Sequence, residues 1–170
     1  VAIDCGLMFP DDDLPGIDHV IPDFSYARAR RSGFRAVVLT HGHEDHIGAL
    51  SFALQAAPAP VYGTRLTLGF VRRRLQERGL PAGADLRTLV AGQPVEVGPF
   101  RVHPIHVAHS VLDSVALAIE TPAGVVLASD QTLRPEIGNS DTARASMVWE
   151  SAARSVASTT AFPSTVTVSV

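Results

Sequence analysis

Apolar positions in the first half of the chain fall into short buried runs, each followed by a stretch with helical spacing. Val1 to Ile3 is a brief apolar run that ends at Asp4-Cys5-Gly6 and reads as a buried strand entering a loop. Residues 7 to 22 carry Pro10, Pro15, Pro22, Gly16 and the run Asp11-Asp12-Asp13, the pattern of an ordered but irregular loop. Asp23 is placed to cap a short helix through about Arg31, which Ser32-Gly33 would end. Arg35 to Thr40 is a continuous apolar run of the kind found in strands covered on both faces. In the next segment, HGHEDHIGALSFALQ, the residues Ile47, Leu50 and Leu54 keep helical spacing up to Pro58 and Pro60. Val61-Tyr62 then reads as a strand. Thr64 to Arg78 reads as an amphipathic helix closed by Gly79, with Leu66, Phe70, Val71 and Leu75 on one face and Arg72, Arg73, Arg74 and Arg78 mostly on the other.

The second half changes to strands. Leu86–Val90, Val95–Val97, Phe100–Val107, Val115–Glu120 and Val125–Ala128 have strand composition, with Thr121-Pro122-Ala123-Gly124 as a turn between the last two. Strands and helices in this order predict an α/β fold of packed layers. From about Pro135 the pattern dissolves. Residues 151–170 hold nine Ser or Thr and no Gly, with only a weak alternation at Val166, Val168 and Val170. A domain over 1–134 and a divergent, poorly ordered Ser/Thr-rich tail over 135–170 are therefore expected.

Composition narrows the class. A chain of 170 residues with 46% hydrophobic and 18% charged residues can bury a real core. No apolar run approaches the roughly 18 residues that span a bilayer, and the opening residues do not have the pattern of a signal peptide. No membrane partner is expected. The single cysteine, Cys5, excludes an internal disulfide and fits a reducing cytoplasm. A net charge of −3 gives no general support for a nucleic-acid partner, so any case for one must come from the site. The chain starts at Val1, inside a strand and without an initiator Met, and is expected to be a piece of a longer protein.

The chemistry concentrates in His41-Gly42-His43-Glu44-Asp45-His46. Three of the seven histidines fall within these six residues, together with an aspartate, at the junction of a buried strand and a helix. His41 and His43, two apart on extended backbone, can point to one side. Asp45 and His46, in a first helical turn, can present further ligands beside them, and Gly42 has no side chain to obstruct the turn. Imidazole and carboxylate together suit Zn²⁺ or a similar divalent ion such as Mn²⁺. Acids in a first helical turn also suit the helix dipole without any metal. A histidine-to-aspartate cluster of this density favours the metal.

In this segment the chain resembles the metallo-β-lactamase superfamily, whose defining motif is HxHxDH. The resemblance implies an αβ/βα sandwich, of which this chain would form the N-terminal part. It implies two Zn²⁺, with Mn²⁺ or Mg²⁺ as substitutes. His41, His43 and His109 would hold the first metal, Asp45 and His46 the second, and Asp130 would link the two. Asp4 matches the family's early aspartate, which orients site histidines. His103 and His106 compete with His109 for the downstream position. His109 is preferred because it lies at the end of the strand and is followed by Ser110, as in the family. At Asp130 the chain departs from the family, with Ser129 before it and Gln131-Thr132 after it; an aspartate in a simple turn is the competing reading there.

Further segments resemble the opening of bacterial ribonuclease J, of the β-CASP group of metallo-β-lactamase-fold nucleases. These are Asp4-Cys5-Gly6-Leu7-Met8-Phe9-Pro10, Leu14-Pro15-Gly16-Ile17-Asp18, Ile21-Pro22-Asp23-Phe24, Thr40–Leu50, Val61-Tyr62-Gly63-Thr64 with Leu66-Thr67-Leu68, and His109-Ser110 with Asp113-Ser114-Val115-Ala116. The resemblance covers roughly residues 1–130. It implies RNA as substrate, 5′-to-3′ exonuclease and endonuclease action, and a homo-oligomer for the longer parent. Such enzymes carry an inserted domain and a downstream metal-binding histidine. No histidine follows His109 here, so this piece alone is expected to cleave weakly or not at all. Two ions about 3.5–4 Å apart would activate a bridging water, held and oriented by Asp45, for in-line attack on phosphorus.

Two other readings remain open. One is a hydrolase of small esters or thioesters on the same fold, distinguished by direct passage from Asp130 to a final histidine-bearing strand. The other is a truncated domain that binds one metal or none. Arg28, Arg30, Arg31 and Arg72–Arg74 read as solvated faces in preference to phosphate contacts, Asp11–Asp13 as loop-shaping acids, and Cys5 as packing. His19 has no assigned role.

Overall fold

The computed structural model describes residues 1–10, 12, 14–78, 83–130 and the backbone of 166–167. The chain divides into two compact units, Val1–Thr88 and Leu89–Val170.

The first unit is built on a four-stranded parallel sheet in the order β1 (Ala2–Ile3), β2 (Val37–Val38), β3 (Val61–Gly63), β4 (Leu86–Thr88). Ala2 pairs with Val37, Val37 with Val61 and Val61 with Leu86, so the strands start level and end level. The run from Ala36 to Leu39 is fully buried, as a strand covered on both faces requires. Between the strands lie α1 (Ser25–Ala29) with a 3₁₀ turn at Arg31–Gly33, α2 (Glu44–Ile47), α3 (Leu50–Ala56) and α4 (Arg65–Glu77). The N-cap of α1 is Phe24 and not Asp23 as expected; one residue further out, the Asp23 carboxylate accepts both the backbone N–H and the hydroxyl of Ser25 at 2.8 Å.

Two further expectations about helices are corrected. The single helix expected after the histidine cluster is two helices. Gly48 N–H still bonds Glu44 O at 2.8 Å, but Ala49 N–H turns away to the carbonyl of Cys5 at 3.0 Å, and this tie to the first loop breaks the ladder. In α4 the buried stripe is Thr67, Leu68, Val71 and Leu75, whereas Leu66 and Phe70 are partly exposed. Counting only apolar residues missed Thr67, whose hydroxyl is satisfied by that of Thr64 at 2.9 Å and which can therefore be buried. The core joins Leu68, Val71 and Leu75 to Val37, Leu39, Leu50, Val61 and the early residues Cys5 and Leu7.

The second unit is a five-stranded sheet in the order β5 (Val95–Val97), β6 (Phe100–His106), β7 (Val115–Thr121), β8 (Gly124–Ala128), β9 (Val166–Thr167). β5 to β8 form an antiparallel meander, and β9 joins β8 in parallel through Val126 and Leu127. The expected turn lies between β7 and β8, where Gly124 takes a φ of +138°. β6 stops at His106, one residue short of the expectation. Apart from Val166–Thr167, the tail expected over 135–170 lies outside the described residues. Among the described residues no helix is long and apolar enough to cross a membrane.

The corrected face of α4 has a direct consequence. Leu75→Ala removes a side chain only 4% exposed and is expected to cost about 2–5 kcal/mol in urea unfolding. Leu66→Ala, at a position 38% exposed, is expected to cost under about 1 kcal/mol. Equal losses would contradict this face.

Candidate metal centre

β1 and β2 are neighbours and run in the same direction, so the residues that leave their carboxyl ends meet. Asp4 follows β1 directly, and its N–H donates to Val38 O at 3.0 Å. Its φ is +55°, a left-handed conformation that a residue with a Cβ adopts only when its surroundings hold it there. From this position the carboxylate reaches across the end of β2. Oδ1 accepts the Thr40 N–H at 2.8 Å; Oδ2 accepts the Thr40 hydroxyl and the Nδ1 of His46, each at 2.8 Å. The Asp4 side chain is 7% exposed and that of His46 8%. Three donors offset the cost of burying the carboxylate.

The motif itself has the backbone expected of it. His43, extended at φ −72° and ψ 154°, is the N-cap of α2, which carries Asp45 and His46. Nε2 of His41 lies 2.9 Å from Nδ1 of His43. The His46 ring stacks obliquely on His41, with centroids 4.0 Å apart. The Asp45 side chain is two-thirds exposed and its Oδ2 lies 3.6 Å from Nε2 of His46. Two imidazole nitrogens directed at one another are stable when one carries a proton or when a cation sits against both lone pairs. This donor set, imidazoles with a carboxylate at the rim, suits a divalent metal. The first unit thus brings together Asp4, His41, His43, Asp45 and His46.

The loop from Asp4 to Leu7 is stitched to α2: Cys5 N–H donates to His46 O at 2.7 Å and Leu7 N–H to Glu44 O at 3.2 Å. The approach is so close that a Cβ on Gly6 would lie 1.5 Å from Asp45 O. Gly42 also leaves room for a neighbour that the sequence did not show. A Cβ there would meet the ring of Phe70 at 2.4 Å, so Phe70 of α4 rests on the motif backbone. Arg74 of α4 pairs with Glu44 and with Glu77, and Arg73 pairs with Glu77 at 2.9 Å. These contacts bind Arg73 and Arg74 to acids of the chain, in keeping with the structural reading of that helix face. Burial, and then the charge of Asp4, push the Cys5 thiol from an ordinary 9.0 up to about 12, so it is packing material and a poor thiolate ligand.

In the second unit β6 and β8 both run antiparallel to β7, so their carboxyl ends share one edge of the sheet. His109 and Asp130 follow those ends and meet there, with Nε2 of His109 3.4 Å from Oδ2 of Asp130. His109 is three residues beyond the end of β6, so its position is set by the loop that Val107 N–H closes onto Ser114 O at 3.1 Å, and strand alternation does not place it. Of its rivals, His103 is paired with Glu120 at 2.6 Å on the strand, and His106 is exposed.

Comparison with known proteins gives the class. The family model of the metallo-β-lactamase superfamily matches residues 3–163, and the chain belongs to that superfamily. Its relatives are more particular: it is 40% identical over 128 residues to ribonuclease J of Helicobacter pylori strain ATCC 700392 / 26695 (75% of this chain, 19% of that protein). It is 42% identical to ribonuclease J of Synechocystis sp. over 131 residues, 76% of this chain and 20% of that protein. The chain therefore spans about a fifth of the length of these relatives. Among solved structures, a metallo-β-lactamase from Cronobacter sakazakii matches with a TM-score of 0.56 at 18% identity, over 98% of this chain and 67% of that one. A protein of unknown function from Enterococcus faecalis V583 matches with a TM-score of 0.55 at 21% identity, over 88% and 41%. The fold class expected from the sequence is the one these structures have. A divalent metal is the group the superfamily implies, and the histidine cluster is compatible with one.

The thiol supplies a pH test. Folding holds Cys5 protonated, so its contribution is fully present below about pH 9 and is lost as pH rises toward about 12. Cys5→Ala is expected to flatten the fall in stability over that window, followed by urea unfolding at stepped pH. An unchanged slope would contradict the burial of the thiol.

Proposed function

We propose that this chain is the N-terminal part of the metal-binding domain of a ribonuclease J-type enzyme, which hydrolyses RNA phosphodiester bonds. The observation that carries the reading is the histidine cluster itself: three imidazoles and a rim carboxylate on one strand-to-helix turn, anchored on the Asp4 carboxylate, whose side chain is 7% exposed. The relatives of about 40% identity named ribonuclease J favour RNA over small esters.

In this proposal His41, His43 and His109 hold one ion, Asp45 and His46 a second, and Asp130 joins the two, with Zn²⁺ as the resident metal and Mn²⁺ or Mg²⁺ as substitutes. Bound divalent ions supply charge to polarise the scissile phosphate and to acidify a nearby water. The other steps belong to the chain. Asp4 Oδ2 keeps the proton of His46 on Nδ1, which leaves Nε2 facing the site. In this reading Asp45, mostly exposed on the first turn of α2, would orient the attacking water and take its proton. Attack forms the new P–O bond in line with the bond that breaks, and the departing oxygen is released with a proton. Exonuclease action from the 5′ end, together with endonuclease action, is the expected mode in the full-length parent.

Metal content and activity test the reading together. His43→Ala in the full-length protein is expected to lower bound zinc or manganese, measured by elemental analysis. It should also cut cleavage of 5′-monophosphorylated RNA by roughly 100-fold or more, since residues that only orient a metal ligand are worth about 10–100-fold. Unchanged metal content would refute the ligand assignment. Turnover of a thioester but not of RNA would refute the substrate.

A further inference from the structure

We infer that Thr40 is a positioning residue of the metal centre: its hydroxyl decides which ring nitrogen of His41 carries the proton, and so leaves Nε2 as the donor atom. The inference rests on the metal-binding reading above. Thr40 is 3% exposed, just beyond β2. Its one hydroxyl proton has a fixed destination, because Oδ2 of Asp4 lies 2.8 Å away and a carboxylate only accepts. Toward Nδ1 of His41, at 3.0 Å, the hydroxyl oxygen then has only a lone pair to offer. That contact is a hydrogen bond only when Nδ1 carries the hydrogen. A neutral imidazole protonated at Nδ1 keeps its lone pair on Nε2, and Nε2 is the atom that faces His43 at 2.9 Å.

Asp4 thereby governs two rings by two routes. It fixes His46 directly, through Nδ1 at 2.8 Å, and His41 at one remove, through the Thr40 hydroxyl. The backbone N–H of Thr40 bonds Oδ1 of the same carboxylate at 2.8 Å, which holds the residue in register for this exchange. Valine has nearly the shape of threonine but no hydroxyl. It would take one donor from Asp4 and this acceptor from His41 while leaving the packing nearly as it is. Serine keeps the hydroxyl.

The test uses two readouts on the full-length protein and its Thr40→Val, Thr40→Ser and Thr40→Ala variants. Zinc affinity is measured by competition with a chromophoric chelator. The tautomer of His41 is read in zinc-free protein at pH 8 by long-range ¹H–¹⁵N correlation, with folding checked by circular dichroism. Thr40→Val is expected to bind zinc about 10–100-fold more weakly and Thr40→Ser to stay within about threefold of wild type, the range seen when a partner that orients a metal ligand is removed or kept. The Nδ1–H form of His41 should be lost from the valine variant and kept in the serine variant. Thr40→Ala takes the place of valine, with the same expectation, should the valine variant not fold. Wild-type zinc affinity together with an intact Nδ1–H form in the hydroxyl-free variant overturns the inference. If wild-type protein binds no zinc, the metal reading itself falls. The tautomers still judge Thr40 in that case: loss with valine and retention with serine support its role, and retention in both overturns it.

Discussion

The carboxylate of Asp4 holds the first unit's site together. Buried beside two strand ends, it gathers a backbone N–H, a hydroxyl and an imidazole into one network, and no donor in it is more than 2.8 Å away. A buried acid with this many partners is stable; with one removed it becomes a liability, because the low local dielectric magnifies whatever is left unpaired. The left-handed backbone at Asp4 is the local strain that this network holds in place. The orientation of the His46 ring and of Thr40 is thus fixed from beneath by one carboxylate.

The parallel sheet makes that possible. Its strands end level, so Asp4 after β1 and Thr40-His41 after β2 emerge side by side, at the edge where open α/β sheets place their sites. Backbone hydrogen bonds from Cys5 and Leu7 then lock the first loop onto α2, and Gly6 permits the contact. α4 closes the other side, with Phe70 on Gly42 and Arg74 on Glu44. In the second unit an antiparallel meander achieves a comparable result, because strands two apart share an edge, and His109 meets Asp130 there.

Much of this was legible in the sequence, and what was missed has physical causes. The histidine cluster and its strand-to-helix junction follow from residue type and spacing, which act locally. The β6–β8 meander was likewise visible, from its alternating positions and its turn at Gly124. The broken helix at Gly48-Ala49 was not, because the competing acceptor, the Cys5 carbonyl, is more than forty residues earlier in the chain. Phe70 was assigned to a buried face by hydrophobicity alone, although its actual neighbour is the backbone of Gly42. Thr40 carried no signal of its own. Its importance comes from a carboxylate 36 positions away, and only a structure brings the two together. His109 was preferred to His103 and His106 for a place at the end of the strand, whereas it lies three residues beyond the end of β6.

X-ray absorption at the zinc edge of the metal-loaded full-length protein tests the central claim most directly. The account predicts nitrogen and oxygen ligands at about 2.0–2.2 Å with the multiple scattering of several imidazoles, and a metal–metal vector near 3.5–4 Å. A spectrum without imidazole scattering, or one dominated by sulfur, would contradict it.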